Sequence, residues 1–426
     1  MQTFIDFITF KDPNVIYVVV GMFFINSSSA LMGTFALLRK RSLIGDAVAH
    51  SLLPGLCLGF MVSGEKNISY LMMGAFFTGW LSTFAVDIIV NRSKIKQDAA
   101  IGIVLSTFFA VGVVLLTHIQ NDPGGQHAGL NNFLFGQAAA INRSEVAVLG
   151  IVLLMISGAI IVFYRSFLVV SFNPDFAKSI GLPVRWIEFL MTSLTVLAIA
   201  SGIQALGVIL MAALIITPAA AARFWTHHLV KMLLLAVMFS VLSGTIGAYI
   251  SYAKAGMPTG PWVVVILSFL MGISILMAPK KGILARLQQA RRNRQKILHE
   301  NILKAIFQFH ETKGHKKLAQ QLSVNEVLSI RNFDTSDLQR GLRRLKQKDY
   351  VIEDQGAYQL TEKGKTESKR IVRLHRLWEQ YLLKRTSIES DHVHSGAEAI
   401  EHIITPDLEK ELEKELGIKG IPEEDY

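Results

Sequence analysis

The sequence predicts an α-helical polytopic membrane protein of about eight or nine spans, followed by a soluble C-terminal part. Hydrophobic residues make up 51% of the 426 positions, which is too apolar for an ordinary soluble protein. Charge is also distributed unevenly. Residues 1–279 contain 15 Lys and Arg with 10 Asp and Glu, whereas residues 280–426 contain 28 and 23. We therefore place the boundary between the two parts at Pro279 and Lys280.

Nine apolar stretches are candidate spans, because crossing the hydrocarbon core takes about 20 mostly apolar residues. They are 16–38, 43–62, 68–90, 99–118, 146–164, 186–203, 206–222, 230–251 and 262–279. Only the break Ser201-Gly202-Ile203-Gln204 separates the sixth from the seventh. A broken helix or a re-entrant element is the alternative for this pair.

Lys and Arg mark one side of the predicted membrane part. They occur in the loops 39–41, 92–96, 165–185 and 223–231 and in the acid-free run 280–296. The alternate loops 63–67, 118–142 and 253–261 are poor in both residues. Because cytoplasmic loops carry the excess of Lys and Arg, this pattern places the N-terminus outside and the C-terminus in the cytoplasm. Residues 280–299 are predicted to form a basic linker helix beside the anionic lipid surface.

Residues 300–366 have the order of elements of a winged helix-turn-helix. A helix through Ile302–Phe309 precedes two short helices, Lys316–Leu322 and Val324–Ile330. Tyr350–Ile352 and Ala357–Leu360 flank a turn and predict a hairpin. Residues 367–426 are predicted to be helical.

The third helix of this domain can be capped by Asp334 or Thr335, whose side chains accept hydrogen bonds from free backbone N–H groups. Its leucines at 338, 342 and 345 share one face. Its basic residues lie mostly elsewhere and are candidates for contacts with DNA phosphates. They are Arg340, Arg343, Arg344 and Lys346. The alternative is a solvated basic helix face.

Asp46 and His50 lie inside the second span at a spacing that puts both on one helix face. An acidic residue near the bilayer centre costs about 2.5–3.5 kcal/mol, so it usually faces a pathway or a partner. A carboxylate and an imidazole together suit a divalent transition ion. In the alternative interpretation, Asp46 lies near the cytoplasmic interface and merely pairs with His50 or Arg41.

The membrane part resembles the permeases of bacterial ABC importers for manganese, zinc and iron. The residues that carry the resemblance are Gly45-Asp46-Ala47, His50, Leu53-Pro54-Gly55, Leu134-Phe135-Gly136 and Leu214-Ile215-Ile216-Thr217-Pro218-Ala219-Ala220. It implies a bacterial plasma-membrane permease paired with itself or a paralogue, with an ABC ATPase subunit below and an extracytoplasmic metal-binding protein above. It also implies that Asp46 and His50 help to form a transient metal site in the translocation path.

Residues 172–183 form the longest predicted inner loop of the membrane part. Asn173 or Asp175 could start a short helix there, and Gly181 could end it. The segment, which includes Ala177, resembles the coupling segment that docks into the ATPase. The alternative is an ordinary surface helix.

The chain itself is expected not to be an enzyme. Gly364-Lys365-Thr366 looks like the end of a phosphate loop, but position 359 is Gln359 instead of the required Gly. ATP hydrolysis is therefore expected in a separate subunit.

A second cluster of candidate metal ligands lies near the end of the chain. His375 and Glu379 are one helical turn apart. The other members are His394, Glu398, Glu401 and His402. Mixed imidazole and carboxylate ligation suits manganese or ferrous iron, and zinc is the further candidate. The alternative is a solvated acidic helix with chance histidines.

Residues 300–417 resemble the iron- and manganese-dependent repressors of the diphtheria-toxin-repressor family. The matching stretches are Leu360–Gly364, Val372–Glu379 and His394–His402. The resemblance implies one metal site from His375, Glu379 and His394 and another from Glu398, Glu401 and His402. It implies that residues 367–426 form the metal-sensing and dimerisation domain. Asn301 stands where the family has Met or Asp, and it is a weaker ligand.

Three functions follow from these observations. In the first, the membrane part conducts Mn²⁺ or Fe²⁺, or Zn²⁺, and the C-terminal domain senses metal and regulates uptake. In the second, the chain is a membrane-tethered, metal-dependent regulator that binds DNA. The third is a proton-coupled carrier without an ATPase.

Overall fold

The computed structural model of the chain describes residues 2–41, 43–64, 68–121, 136, 138, 141–254, 257–312, 321–385 and 406–417. It divides into two compact units, Met1–Ala285 and Arg286–Tyr426. We refer to them as the membrane unit and the C-terminal unit.

Apolar helices make up the membrane unit. In chain order they are α1 (Gln2–Ile8), α2 (Pro13–Leu38), α3 (Ile44–Ser63), α4 (Ile68–Arg92), α5 (Gln97–Gln120), α6 (Arg143–Val162), α7 (Tyr164–Phe172), α8 (Pro174–Ser179), α9 (Val184–Leu206), α10 (Val208–Trp225), α11 (Leu229–Ala253) and α12 (Thr259–Met277). By length and composition, eight of the described helices can cross a membrane, namely α2 to α6, α9, α11 and α12. The shorter apolar α10 coincides with the seventh candidate span. The predicted polytopic helical fold is confirmed.

The break between the sixth and seventh candidate spans lies later than predicted. Residues 201–204 remain helical, and α9 continues to Leu206. The chain turns at Gly207, where φ is 82° and ψ is 160°. A side chain rarely adopts this positive φ, so Gly207 ends one helix and starts the next without steric cost. The prediction of a break at Ser201–Gln204 was wrong because it relied on small polar residues, which a buried helix tolerates.

Glycines allow three close helix crossings, two of them with backbone against backbone. The Cα of Gly33 on α2 lies against the carbonyl of Ile215 on α10, and Gly55 on α3 lies against Gly74 on α4. A Cβ at any of these glycines would overlap the opposing backbone. On the other side of α3, Gly112 of α5 fits against Leu53 and its neighbouring proline. Small residues at such crossings allow van der Waals packing in lipid, where no hydrophobic force draws helices together.

Polar groups also tie α2 to its neighbours. The side-chain hydroxyl of Ser240 on α11 donates to the Asn26 side-chain oxygen at 3.0 Å. At the end of α2, the Arg39 guanidinium donates to Glu188 on α9 at 3.1 Å. Both contacts join residues more than 140 positions apart in the chain. They fix α2 against helices from the second half of the membrane unit.

The C-terminal unit begins on a long basic helix and contains a small sheet. In order its elements are α13 (Ile283–Thr312), β1 (Leu322–Ser323), α14 (Val324–Ile330), α15 (Thr335–Gln347), β2 (Val351–Asp354), β3 (Ala357–Leu360), α16 (Glu362–Arg385) and α17 (Pro406–Leu416). The strands pair antiparallel in the order β1-β3-β2. The predicted linker helix and the first helix of the domain are one continuous helix, α13. Likewise, the domain boundary predicted after residue 366 falls within α16.

Local sequence signals set the ends of these elements. Ser323 and Glu326 form a reciprocal capping box at the start of α14. The Asp334 carboxylate accepts from the backbone N–H of Ser336 at 2.9 Å, so Asp334 is the cap of α15. Gln355 and Gly356 both have positive φ, as a two-residue hairpin turn requires. The predicted hairpin and the helices of residues 324–330 and 335–347 are present.

Leu322 departs from the prediction. It was expected to end a short helix, but it pairs with Tyr358 as part of β1. Its side chain is fully buried in the core of the unit, against residues of α13, α15 and the hairpin. The third strand accounts for the difference, because a strand pairing with β3 is a long-range contact that local helix propensity does not encode. Residues 316–320 of that predicted helix lie outside the described residues.

Gly74→Ala tests the glycine crossing of α3 and α4. The added methyl group would overlap the Gly55 carbonyl, and overpacking of this kind costs about 1–3 kcal/mol. We expect the melting temperature of the purified chain in detergent to fall by about 5 °C, as measured by differential scanning fluorimetry.

Gly102→Ala on α5 is the matched control, because a Cβ there meets nothing within 4 Å. It should leave the melting temperature unchanged or raise it slightly, since Ala is the better helix former. Equal melting temperatures for the two variants would contradict the close crossing.

Candidate functional site

The strongest candidate site in the membrane unit is the pair Asp46 and His50 on α3. His50 Nε2 lies 3.4 Å from Asp46 Oδ1. The Asp46 side chain is 41% exposed and that of His50 is 19% exposed. Asp46 lies in the first turn of α3, toward one end of the span. The carboxylate therefore benefits from the free N–H groups at the helix start.

The surroundings of this pair orient the imidazole. Its ring lies edge-on to Phe109 of α5, with centroids 5.1 Å apart and an interplanar angle of 88°. The other ring nitrogen, Nδ1, is buried and has no hydrogen-bond partner among the described residues. Pro54 lies inside the same helix. Because proline has no N–H, it cannot donate to the His50 carbonyl one turn earlier, which leaves this backbone oxygen beside the pair.

Arg41 is not the partner of Asp46. It pairs instead with Asp87 on α4 at 3.3 Å. The alternative interpretation paired Asp46 with His50 or with Arg41. The structure shows the Asp46–His50 pair, and Arg41 pairs with Asp87 instead. The Asp46 carboxylate therefore has an imidazole beside it, and a metal ion can compete for both groups.

Hydropathy alone missed a polar run in the middle of α2. Asn26, Ser27, Ser28 and Ser29 are all buried. The hydroxyls of the three serines have no hydrogen-bond partner among the described residues. Four consecutive polar residues inside a span are a signal that the sequence contained, because such groups are costly in lipid unless they face protein or water.

The inner-loop segment forms a short capped helix, α8. The Asn173 side chain accepts from the N–H of Phe176 at 3.0 Å and caps it. At the other end Gly181 has φ of 81°. The N–H of Gly181 donates to the Lys178 carbonyl, and that of Leu182 to the Ala177 carbonyl, each at 3.0 Å. Asn173, and not Asp175, starts the helix, and Gly181 ends it in a Schellman motif.

This segment exposes large apolar side chains at the end of α7, on α8 and directly after α8. Phe172, Phe176 and Ile180 repeat every four residues and are each more than half exposed. Ala177 is fully buried and attaches the helix to the membrane unit. Asp175 is exposed and pairs with Lys178 of the same helix at 3.4 Å. An exposed apolar row rimmed by charge is typical of a protein-docking surface.

In the C-terminal unit, the structure brings His375 and Glu379 together on α16. His375 Nε2 lies 2.9 Å from Glu379 Oε1, and both side chains are less than 8% exposed. The other four predicted ligands, His394, Glu398, Glu401 and His402, lie outside the described residues. Within the described ranges no cluster of three or more His, Cys, Asp or Glu side chains is placed to hold a metal ion. Of the predicted ligands, the described residues contain one buried imidazole–carboxylate pair.

Ion pairs of two arginines close to this pair hold α16 against α13 and α17. Arg376 donates to Glu311 at the end of α13 at 2.7 Å. Arg373 pairs with Glu409 and Glu413 of α17. Sequence patterns also missed two polar residues of α13, Lys304 and His310, which are almost fully buried. These contacts hold the His375–Glu379 pair inside the packed helices instead of at the surface.

The basic residues of α15 divide between two faces. Gly341 packs against Ile302 of α13, so residues on its face, Arg340 and Arg344, also lie toward α13. On the other face, Lys346 donates to Glu353 of the hairpin at 2.9 Å. This hydrogen bond and the lysine charge keep the pKa of the Glu353 carboxyl below its usual value. The four predicted phosphate contacts therefore do not form one continuous surface.

The segment resembling a phosphate loop is helical. Gly364-Lys365-Thr366 lies in the first turn of α16. The Gly364 N–H donates to the Thr361 hydroxyl at 3.0 Å, and Lys365 pairs with Glu362 at 2.7 Å. These N–H and ammonium groups are occupied by the chain itself and do not form a phosphate cradle.

Comparison with known families divides the chain in the same order. Residues 11–278 match the ABC 3 transport family. Residues 361–419 match the metal binding and dimerisation domain of the iron dependent repressors. The second match covers α16 and α17, including His375 and Glu379.

Individual proteins show the same similarity. The manganese transport system membrane protein MntC of Bacillus subtilis is 38% identical over 385 residues, covering 89% of this chain and 87% of that protein. The zinc transport system membrane protein TroC of Treponema pallidum is 38% identical over 283 residues, covering 66% and 95%. The solved structure of PsaBC from Streptococcus pneumoniae in complex with Fab matches with a TM-score of 0.59 and 29% identity, over 65% of this chain and 97% of that chain.

Proposed function

The chain belongs to the ABC 3 transport family, and from this premise we propose that it is the permease of an ATP-driven importer of a divalent transition metal ion. One observation carries the proposal: a carboxylate and an imidazole lie 3.4 Å apart on a membrane helix and are partly accessible. Oxygen and nitrogen donors suit manganese and ferrous iron, and imidazole also suits zinc. Two relatives are named for manganese and for zinc transport.

A second permease subunit would complete this metal site. Asp46 and His50 supply two side-chain donors, fewer than the four to six that these ions take. Both side chains are partly exposed at the surface of the described protomer. A two-fold arrangement brings the same patch of both subunits together, so two such pairs could share one ion. A paralogue with equivalent residues would serve as well as a second copy.

The ATPase subunit is proposed to dock on α8. The helix is capped at both ends, and exposed apolar side chains lie on it at Phe176 and directly beside it at Phe172 and Ile180. The loops on this side are rich in Lys and Arg, which favours a cytoplasmic location for α8 and for the C-terminal unit. An extracytoplasmic metal-binding protein would then deliver the ion to the opposite face.

The C-terminal unit is proposed to sense metal that has entered the cell. The buried His375–Glu379 pair has the donor types and spacing for half of a metal site, and residues 361–419 match a metal-binding domain. His394, Glu398, Glu401 and His402 would supply the remaining donors. Metal bound more tightly in one conformation shifts the transporter toward it, so filling this site would damp uptake.

A membrane-tethered DNA-binding regulator is the alternative. The winged helix-turn-helix order of α14, α15 and the hairpin favours it. Against it, Lys346 is engaged with Glu353, and Arg340 with Asp337 of its own helix. Salt-dependent binding of duplex DNA by the full chain, with metal uptake unaffected by changes in the C-terminal unit, would favour this alternative.

Asp46→Asn combined with His50→Gln should abolish transport while preserving the fold. Loss of direct ligands should lower the uptake rate by more than the roughly 10- to 100-fold seen when outer partners of metal ligands are removed. The measurement is uptake of radioactive manganese by the reconstituted complex. Asp98→Asn with His118→Gln on α5 makes the same chemical changes at exposed positions and should retain uptake. Full uptake by the Asp46/His50 double variant would disprove the membrane site.

Phe176→Ala should weaken docking of the ATPase subunit. Burying an aromatic side chain contributes about 1.5–3 kcal/mol, so its loss predicts an affinity decrease of about 10- to 100-fold. Thermophoresis of labelled ATPase with the detergent-solubilised permease measures this affinity. Ser179→Ala, at an exposed position on the same helix, should bind like the wild type. Unchanged affinity for Phe176→Ala would rule out docking through the apolar row.

Glu379→Gln should relieve inhibition by internal metal without changing basal uptake. Removing one charged ligand raises the metal concentration needed for half-inhibition by about tenfold or more. The test is uptake into proteoliposomes loaded with increasing manganese on the C-terminal side. Glu411→Gln on α17, which is exposed, is the control and should be inhibited normally. Equal inhibition in both variants would refute the sensor.

A further inference from the structure

A basic groove lies between α13 and α15 of the C-terminal unit. Residues 291–301 of α13, residues 337–344 of α15 and the segment 331–333 line it, and its volume is about 530 Å³. This volume is typical of a site for a small molecule. We call it the α13–α15 groove.

The charge of this groove is strongly unbalanced. Five arginines line it against one carboxylate, Asp337. They are Arg291, Arg294, Arg331, Arg340 and Arg344. Asp337 accepts from Arg294 at 3.2 Å and from Arg340 at 2.6 Å, so it bridges the two helices and is fully engaged. Arg291 and Arg344 form no ion pair with any described residue.

A second groove also borders α13, and its excess of cations over carboxylates is smaller. It measures about 390 Å³ and is lined by four cations and two carboxylates. Both carboxylates are paired locally, Glu300 with Lys296 and Glu367 with Arg370. The excess positive charge is therefore greater in the α13–α15 groove, where guanidinium groups from both helices converge.

His299 lies where the two grooves meet. Its side chain is 91% buried, and its Nε2 has no hydrogen-bond partner among the described residues. Burial, together with the charges of Lys348 and Arg344, lowers the pKa of this imidazole, so it is neutral at pH 7. Leaving a buried polar group unsatisfied is costly. A ligand that reaches His299 would remove this cost.

Apolar groups complete the walls of the groove. Beside the arginines, the groove is lined by Ile297 and Leu298 of α13 and by Phe333 of the segment that precedes α15. A ligand with both a multiply charged end and a non-polar or ring-containing body matches this combination. An arginine guanidinium binds phosphate oxygens through paired hydrogen bonds. A single carboxylate has fewer oxygens and therefore satisfies several arginines less fully than a phosphate does.

We propose that the α13–α15 groove binds a phosphate ester, with the phosphoryl group at Arg344 beside His299 and the body of the ligand against the apolar wall of the groove. This function is separate from metal transport and from metal sensing. A soluble nucleotide and the headgroup of an anionic phospholipid share the required chemistry. The experiment must therefore distinguish these two sources.

Isothermal titration calorimetry tests the proposal. The sample is the purified full chain in neutral detergent, without divalent metal. The probes are inorganic pyrophosphate, ADP and mixed micelles containing phosphatidylglycerol. We expect saturable binding of at least one phosphate ester. Arg344→Gln should weaken it by roughly 10- to 100-fold, because a charge-assisted hydrogen bond is lost.

Arg343→Gln is the matched control, since it removes the same charge one residue away. Arg343 lies near Glu353 of the hairpin and does not line the groove. It should bind within about twofold of the wild type. Binding of ADP but not of phosphatidylglycerol would support a nucleotide, and the reverse would support a lipid headgroup. The proposal is overturned by equal effects of the two variants, by no saturable binding, or by binding of duplex DNA alone.

Discussion

Close contact between helix backbones is the constraint on which the membrane unit depends. In lipid, hydrophobic burial does not drive helices together, so association relies on packing and polar contacts. Gly55 and Gly74 bring α3 against α4, and Gly112 brings α5 against the other side of α3. The helix that carries Asp46 and His50 is thereby fixed on two sides. The relative positions of its donor groups depend on glycines that have no chemistry of their own.

The same helix holds the imidazole ring in a fixed orientation and leaves a backbone carbonyl free beside it. Pro54 interrupts the hydrogen-bond ladder one turn after His50, and Phe109 fixes the imidazole ring. Around the pair, the arginines near the end of α2 are each neutralised by a carboxylate of another helix. Because these cations are satisfied elsewhere, the Asp46 carboxylate stays available to a metal ion. Electrostatic separation of this kind is what the proposed permeation site requires, since the ion must bind and then leave.

In the C-terminal unit, one helix contacts both the surroundings of the His375–Glu379 pair and the α13–α15 groove. The α13 helix contributes the core face against α15 and the hairpin, one wall of the α13–α15 groove, and Glu311 at its end. Arg376, the partner of Glu311, is adjacent to His375 on α16. The Arg376–Glu311 contact therefore joins the helix that carries the His375–Glu379 pair to the helix that also lines the basic groove. In this pair the Arg376 side chain is buried, whereas that of Glu311 is 44% exposed.

Much of this organisation is determined by the sequence alone. Apolar length defined the spans, and side-chain acceptors marked the starts of α8 and α15. The spacing of Asp46 with His50 and of His375 with Glu379 predicted two adjacent pairs. These features depend on neighbours within about one helical turn, so short-range pattern is sufficient. The tertiary structure decided the rest. The helix break lies at Gly207, and Leu322 lies in a strand. Arg41 pairs with Asp87. Arg340 and Arg344 lie toward α13, whereas Lys346 contacts the hairpin. Each of these outcomes depends on partners distant in sequence or on backbone torsion angles, and neither can be read from residue type and spacing.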